Sequence, residues 1–257
     1  SMGNSNPKRD LEEGLVLGRN AVIELLKGPR EVECIYICDD VPARGQPISR
    51  IVALAKEARV PVKRVDVRRL DTLANGLNHQ GVAAQAAAFH YCTVEELFAR
   101  AAARGEPPLL VIADSIEDPH NLGAIIRTAE AAGAHGLIIP KRGGASLTAI
   151  VGRTSAGAVE HLPVARVTNL VSTIKELKAR GVWIYGADAS GARWDQTDLT
   201  GPSALVIGSE GFGLSRLVRE TCDALLSLPM RGEVNSLNAS VAAGILMYEA
   251  VRQRTKR

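Results

Sequence analysis

A chain of 257 residues in which 46% of the side chains are apolar and 23% are charged is globular and long enough for two domains, which excludes a disordered or fibrous protein. Its net charge of +3 does not by itself indicate a nucleic-acid partner, no apolar run reaches the roughly 18 residues of a membrane span, and the four cysteines lack metal-ligand spacing. We therefore expect a cytoplasmic protein with neither a membrane nor a metal as partner. Residues 1–10 place Ser1 before Met2, the pattern of an expression-tag remnant, and are expected to lie outside the fold.

The first predicted domain spans residues 11–90 and alternates short helices with strands. A helix is predicted over residues 21–26, with Asn20 as its N-cap and Gly28 at its end. The remaining patterns predict one helix at 48–58 and strands at 32–38, 62–65 and 81–88. We expect a small α/β domain.

Residues 91–108 are expected to connect the two domains. Thr93 and Glu96 have the spacing of a capping box and predict a helix that ends near residue 103. A stretch rich in glycine and proline, 104–108, then breaks the pattern before the next strand.

The second predicted domain, residues 109–257, alternates apolar strands with helices. The strands are predicted at 109–113, 136–140, 162–167, 182–187, 204–208 and 224–228. Helices are predicted from 121, near 148–157, over 170–180, after 214 and up to 253. Because wholly apolar strands separated by helices are typical of a parallel sheet covered on both faces, we expect ligands at the carboxyl ends of these strands.

Three polar segments lie at such strand ends, and the first is 114–127. It contains Asn121, a candidate N-cap, and ends on Arg127 in a helix where Glu130 is the only other charged residue. A lone arginine among small and apolar residues usually has an anionic partner. The pattern leaves open whether that partner is a structural ion pair or a phosphate or carboxylate ligand.

The second segment is a glycine-rich turn after the strand 204–208. It holds Gly208, Glu210, Gly211 and Gly213, a spacing that is neither a dinucleotide fingerprint nor a Walker loop. No dinucleotide fingerprint follows the strand 109–113 either, which disfavours a nicotinamide-dependent oxidoreductase. A carboxylate in the turn would repel phosphates, so a neutral or cationic ligand or a plain tight turn remains open.

The third segment runs from Leu228 to the start of the last helix. Asn235, Ser236 and Asn238 precede the small and apolar run 239–247. One capping residue is enough to start a helix, so the additional polar groups indicate a further role.

Together these segments resemble a known family. Asn121-x-Gly123-x-x-x-Arg127, Gly208-Ser209-Glu210-Gly211 and Ser236-Leu237-Asn238-Ala239-Ser240-x-Ala242 resemble, in the same order, the three motifs of the SpoU/TrmH (SPOUT) family of RNA 2′-O-ribose methyltransferases. The resemblance covers 109–257. Segments 17–22 and 78–82 are also similar to the substrate-binding extension of the branch that methylates a guanosine of 23S rRNA.

The resemblance implies a fold, a cofactor and partners. It implies an L30e-like first domain, an α/β-knot catalytic domain with a deep trefoil knot, a homodimer, S-adenosyl-L-methionine as cofactor and RNA, most of all rRNA, as substrate. The implied catalytic residues are Arg127, Asn121, Glu210, Ser236 and Asn238. The implied cofactor-binding residues are Gly208, Glu210, Gly211, Leu228, Met230, Ser236 and Leu237. The implied RNA-binding residues are Arg19, Asn20, His79, Gln80 and Arg127, with Arg68 and Arg69 as further candidates.

Three alternatives stay open within this resemblance. The substrate could be tRNA, or a 23S rRNA adenosine whose methylation gives antibiotic resistance. A non-catalytic RNA-binding or ribosome-assembly protein could also retain the fold. The intact Arg127, Glu210, Ser236 and Asn238 favour an enzyme over such a protein.

Overall fold

The computed structural model describes residues 14–41, 45–209 and 213–255, and its contacts divide the chain into two compact units. The first unit combines the residues up to 90 with the segment 147–161, and the second combines 91–146 with the residues from 162 onward. The predicted tag, 1–10, and the site candidates Glu210 and Gly211 lie outside the described residues. Over the described ranges, no helix has both the length and the hydropathy needed to cross a membrane.

The first unit is built on a four-stranded sheet with the order β1-β4-β2-β3. Its strands are β1 (Leu15–Leu17), β2 (Val32–Cys38), β3 (Val62–Val65) and β4 (Val82–Ala86). Strands β2 and β3 are parallel, whereas β4 runs antiparallel to both of its neighbours. The helices between the strands are α1 (Arg19–Lys27), α2 (Gln46–Glu57) and α3 (Val67–Ala74).

The second unit alternates helices and strands. Its elements begin with α4 (Val94–Ala103), β5 (Leu109–Asp114), α5 (Pro119–Ala131) and β6 (Gly136–Pro140). Helix α6 (Ala149–Thr154) and a 3₁₀ turn (Ala158–Glu160) follow in sequence but lie in the first unit. The second unit continues with β7 (Val164–Val167), α7 (Leu170–Ala179), β8 (Trp183–Arg193), β9 (Ser203–Gly208), α8 (Arg216–Thr221), β10 (Ala224–Ser227) and α9 (Ala239–Arg254).

The sheet of the second unit has the order β10-β8-β9-β5-β6-β7, and every neighbouring pair is parallel. All residues of the central strands β5 and β9 are buried. This burial explains the continuous apolar runs, because each central strand packs against side chains on both faces of the sheet. The predicted fold class, a small α/β unit followed by a parallel α/β unit, is confirmed.

The segment 91–108 does not form a connector, contrary to our expectation. Its helix α4 places Leu97, which is fully buried, in the hydrophobic core of the second unit. Arg180 of the same unit pairs with Glu95 over 2.6 Å and stacks on the Phe98 ring, with its guanidinium carbon 3.6 Å from the ring centroid. The capping box of Thr93 is present as predicted. The segment is therefore part of the second unit because its apolar face is buried there.

The segment 147–161, predicted to belong with 109–257, is held in the first unit by polar contacts. Glu160 forms a 2.7 Å ion pair with Arg30, and both side chains are almost fully buried. Burial raises the pKa of Glu160, although the charge of Arg30 opposes that rise. His161 contacts the carboxylate of Glu24 over 2.6 Å. Such pairing over a long sequence separation leaves no local signal in the sequence.

Helix starts differ from two predictions. Helix α1 begins after Gly18, and not after Asn20, because the backbone turns at Gly18 with a φ of 94° that favours glycine. Helix α5 begins after Asp118, whose Oδ1 accepts the backbone N–H of His120 over 2.9 Å. Asn121 is therefore inside the first turn of α5 and is not its N-cap.

Candidate functional site

The carboxyl ends of the two central strands lie side by side and carry the first part of the site. Asp114 of β5 is paired in register with Gly208 of β9. The carboxylate of Asp114 is buried, and its Oδ2 accepts the backbone N–H of Ser215 over 2.7 Å. Asp114 thereby fixes the chain just before α8, after the glycine-rich turn. Sequence reasoning did not select Asp114, although its position at the end of a buried strand was the available signal.

The glycine-rich turn folds back on its own strand at Gly208. A Cβ at Gly208 would overlap the backbone of Gly213 and Leu214, so only glycine fits. The backbone N–H of Gly213 donates to the carbonyl of Ser209 over 2.8 Å and closes the turn. This close approach accounts for the glycine at position 208 in physical terms.

A cavity of about 280 Å³ opens beside this turn. Five of the predicted cofactor-binding residues line it, namely Gly208, Leu228, Met230, Ser236 and Leu237. The rest of its lining comes from the strand ends, the neighbouring loops and the first turns of α9, with the residues Ala187, Asp188, Ala189, Ile207, Ser209, Gly213, Leu226, Asn235, Ala239, Ala242 and Leu246. The structure thus brings the second and third sequence segments to one cavity.

The first and third segments meet through two amide side chains. Asn238 caps α9 by accepting the backbone N–H groups of Ser240 and Val241 at its Oδ1. Its Nδ2 donates to the Oδ1 of Asn121 over 3.0 Å. Asn238 is therefore the N-cap of the last helix, while Ser236 lines the cavity.

Arg127 lies on the exposed surface of α5. Within 14–41, 45–209 and 213–255, the structure gives its guanidinium no hydrogen bond and no ion pair, which leaves the structural ion pair without support. The sequence had left that pair open as an alternative to an anionic ligand. An exposed guanidinium is free to bind a phosphate or another anion.

The RNA-binding candidates of the first unit centre on the loop that holds His79 and Gln80. Arg19 donates from its backbone N–H to the Oε1 of Gln80 over 3.0 Å and from its Nε to the Gln80 carbonyl over 3.2 Å. His79 uses both ring nitrogens within this unit, one towards Asp71 and one towards the backbone N–H of Gly81. His79 therefore shapes the loop, while Arg19 and Gln80 form one polar patch on it.

A residue that the sequence did not indicate, Arg153, also contacts this loop. Arg153 of α6 donates to the carbonyl of Asn78, which places a second arginine on the loop beside Arg19. Asn20 and Arg68 are exposed, and the Arg69 guanidinium lies 5.5 Å from the Tyr36 ring centroid. Only the insertion of 147–161 into the first unit brings Arg153 here, so no local pattern could have selected it.

The chemistry of the cavity fits an adenosine group that carries no phosphate. Its walls are largely apolar, with Ile207, Leu226, Leu228 and Leu246 among them. Among the residues described, no lysine, arginine or histidine lines it. The first turns of α9 could receive a phosphate, but the lack of a lining cation and the presence of Asp188 disfavour one, whereas adenine and ribose need apolar walls and a few polar groups.

Comparison with known proteins agrees with this chemistry. The SpoU rRNA Methylase family model matches residues 108–248, and the model for RNA 2′-O ribose methyltransferase substrate binding matches residues 15–92. YacO of Bacillus subtilis (strain 168), named for the TrmH family of tRNA/rRNA methyltransferases, is 50% identical over 241 residues, which cover 93% of this chain and 95% of that protein.

Two solved structures share the fold over nearly the whole chain. The SpoU methyltransferase AviRb from Streptomyces viridochromogenes, in complex with the cofactor AdoMet, has a TM-score of 0.78 and 28% identity and covers 99% of this chain and 95% of its own. The AdoMet-bound rRNA methyltransferase from Sinorhizobium meliloti has a TM-score of 0.74 and 26% identity, and the match covers 93% of this chain and 86% of that one. The predicted family and cofactor are confirmed. The chain therefore belongs to the SpoU rRNA methylase family and is an RNA methyltransferase that uses S-adenosylmethionine as its methyl donor.

Proposed function

We propose that the protein methylates the ribose 2′-hydroxyl of a guanosine in 23S rRNA. The observation that carries the proposal is the cavity beside Gly208, which joins the glycine-rich turn to the loop before α9. The match of residues 15–92 to a substrate-binding model for RNA 2′-O ribose methyltransferases supports the ribose as target. The presence of that extension favours rRNA over tRNA, which is the other substrate class of the family.

The cavity would hold S-adenosylmethionine, which supplies an electrophilic methyl group on a positively charged sulfur. Gly208, Leu228 and Leu237 would contact the adenine and ribose, because they line the cavity and glycine lets the backbone come close. Met230 and Ser236 complete the predicted contacts. Glu210 and Gly211 keep the same proposed role, although they lie outside the described residues.

Arg127 is the proposed residue that contacts RNA at the reacting position. A guanidinium stays protonated at neutral pH, so it serves as an electrostatic group and not as a base. It would bind the phosphate next to the target ribose and stabilise negative charge on the attacking oxygen. Its exposure and its lack of a described partner are consistent with a role that begins when RNA binds.

Asn121, Asn238, Ser236 and Glu210 would position the reacting groups. Methyl transfer by in-line displacement depends mainly on alignment of the hydroxyl with the methyl group. The hydrogen bond between Asn121 and Asn238 holds the loop before α9 against α5, the helix that carries Arg127. We assign the positioning of the target nucleotide to this pair.

Outside the site, we propose that Arg19, Asn20 and Gln80, together with Arg153, contact the folded RNA.

We also propose a homodimer through α9, because Val241 and Tyr248 are about half exposed and lie seven residues apart on that helix. The trefoil knot stays a prediction from the family. We place the reaction in the cytoplasm, where the RNA substrate is found.

The test is methyl transfer from labelled S-adenosylmethionine to unmethylated 23S rRNA and, separately, to tRNA, followed by mapping of the modified nucleotide. We expect a 2′-O-methylguanosine in 23S rRNA. A 2′-O-methyl group in tRNA, or on an adenosine of 23S rRNA, would replace the proposed substrate with one of the two alternatives. Methylation of a base atom would overturn the ribose assignment, and transfer to neither RNA would overturn the proposed substrates.

A further inference from the structure

One acidic residue that the family motifs do not include lines the proposed cofactor cavity. Asp188 of β8 lines the cavity, and it is the only charged side chain among the described residues that do so. Its side chain is 21% exposed. A carboxylate in an otherwise neutral and largely apolar cavity determines which charge a ligand can bring there.

The carboxylate of Asp188 is held in place by two neighbours. Its Oδ1 accepts hydrogen bonds from the backbone N–H of Ser190 over 2.9 Å and from the Ser190 hydroxyl over 2.6 Å. Its Oδ2 lies 3.2 Å from the Nε of Arg219, whose Nη2 also donates to the Ser190 hydroxyl. The orientation of the carboxylate is therefore fixed before a ligand binds.

The carboxylate is ionised at neutral pH and keeps the capacity to accept another hydrogen bond. Burial raises the pKa of Asp188, but the hydrogen bonds from Ser190 and the charge of Arg219 outweigh burial and lower the pKa below the usual aspartate value. A carboxylate offers about four acceptor positions, and the contacts above occupy three of them. The remaining position is on Oδ2.

Arg219 does not cancel this charge on the cavity side. Its side chain is 46% exposed and does not line the cavity, so solvent screens the guanidinium. Asp188, in contrast, is among the residues that line the cavity, and its side chain is only 21% exposed, so solvent screens its carboxylate less. A cationic ligand in the cavity would therefore be attracted by this negative charge.

We propose that Asp188 binds a positively charged group of S-adenosylmethionine. The inference rests on the proposed assignment of the cavity to this cofactor. The cofactor carries two cations, the sulfonium and the amino-acid ammonium, and the product S-adenosylhomocysteine keeps only the ammonium. If Asp188 contacts the sulfonium, the contact weakens when the methyl group leaves, which favours product release.

Isothermal titration calorimetry on the full chain tests this inference with three ligands. These are S-adenosylmethionine, S-adenosylhomocysteine and 5′-methylthioadenosine, which has the adenosine but neither cation. We expect Asp188→Asn to weaken the binding of S-adenosylmethionine by about tenfold, the effect of losing one contact between opposite charges, and to leave the binding of methylthioadenosine unchanged. Glu220→Gln, a neutral exchange on the exposed face of α8, is the matched control and should change none of the three affinities.

The three ligands separate the two possible cations. If Asp188→Asn lowers the affinity for S-adenosylmethionine alone, Asp188 contacts the sulfonium. If it lowers the affinity for S-adenosylhomocysteine equally, Asp188 contacts the ammonium. Unchanged binding of S-adenosylmethionine, or an equal loss for methylthioadenosine, overturns the inference. If the wild-type protein does not bind S-adenosylmethionine while its fold is intact, the assignment of the cavity fails instead.

A second variant keeps the inference testable should Asp188→Asn fail to fold. Arg219→Gln removes the cation beside Asp188 and leaves the carboxylate in place. We expect it to strengthen the binding of S-adenosylmethionine by a few fold and to leave the binding of methylthioadenosine unchanged. The reason is that the negative charge of the carboxylate is then less neutralised by a neighbouring cation. If the Asp188–Arg219 pair had only a structural role, Arg219→Gln would weaken binding. Weaker binding of all three ligands would therefore overturn the inference.

Discussion

Asn238 donates from its Nδ2 to the Oδ1 of Asn121 over 3.0 Å while its own Oδ1 caps α9. One side chain thus starts the last helix and ties it to the first turn of α5. The two functions use different atoms of the same amide, so substitutions can separate them.

Asn238→Ser should retain most of the stability and lose activity. Serine is also a favourable N-cap, but its side chain is too short to reach Asn121. We expect a change below about 0.5 kcal/mol in the free energy of unfolding and a fall of about tenfold in the rate of methyl transfer. Asn238→Ala should lose about 1 kcal/mol in addition, because the cap is lost as well. Urea unfolding and single-turnover transfer measure the two effects, and full activity of the serine variant would contradict the positioning role.

Arg127→Ala should abolish transfer without loss of stability. The side chain is exposed and has no partner among the described residues, so its removal should change the free energy of unfolding by less than about 0.5 kcal/mol. The rate should fall by about a hundredfold or more, as for loss of a group that stabilises developing negative charge. Arg127→Lys, which keeps the charge but not the bidentate geometry, should recover part of the rate. Near-wild-type transfer by the alanine variant would remove Arg127 from the site.

Arg254→Ala should be strongly destabilising even though it lies near the end of the chain. Its guanidinium donates to four backbone carbonyls, those of Pro107, Pro108, Leu199 and Gly201. Removal leaves these carbonyls without their charged donor and should cost about 3 kcal/mol. Arg216→Ala is the control, since its exposed pair with Glu220 spans 3.8 Å and should be worth about 0.5 kcal/mol or less. Equal effects of the two substitutions in chemical denaturation would contradict this account.

His135 should make stability depend on pH. The ring is fully buried and its Nδ1 accepts the backbone N–H of Leu109 over 2.9 Å, which requires the neutral form. Burial lowers the pKa of His135, although Glu106 opposes the shift. In the unfolded chain histidine titrates near about pH 6.5, so the unfolded state takes up a proton first as the pH falls.

The stabilising contribution of neutral His135 is therefore complete above about pH 6.5 and is lost as the pH falls towards the lowered pKa of the folded state. Urea unfolding at about pH 7.5 and about pH 5.5 should show this decline. His135→Gln should reduce this fall in the free energy of unfolding, whereas His120→Gln, at an exposed position, should leave it unchanged. The same decline in both variants would assign the pH dependence to other groups.

Much of the parallel unit could be predicted because its signals are local. The central strands β5 and β9 are apolar apart from Asp114 and Ser203 at their ends, and the capping box at Thr93 follows from a short spacing. Helix α3 was missed because only Leu70 and Ala74 of its residues are buried, which leaves too short an apolar pattern.

The features that sequence reasoning missed depend on contacts between distant residues. Asp188 lies in a strand where the pairing of β8 with β10 shifts register, and nothing near it in sequence marks the cavity it lines. Arg153 contacts Asn78 across a separation of 75 residues. Both side chains gain their roles only from the fold.

The placement of 147–161 has a consequence for how the protein is made. On a translating ribosome, the first unit cannot finish folding when residue 90 emerges, because Glu160 and His161 have not yet been synthesised. Until then Arg30 would lack the carboxylate that neutralises it in a buried position. A fragment cut at residue 90 would lack these contacts permanently, so the first unit gains its full set of contacts only from a chain that extends to residue 161.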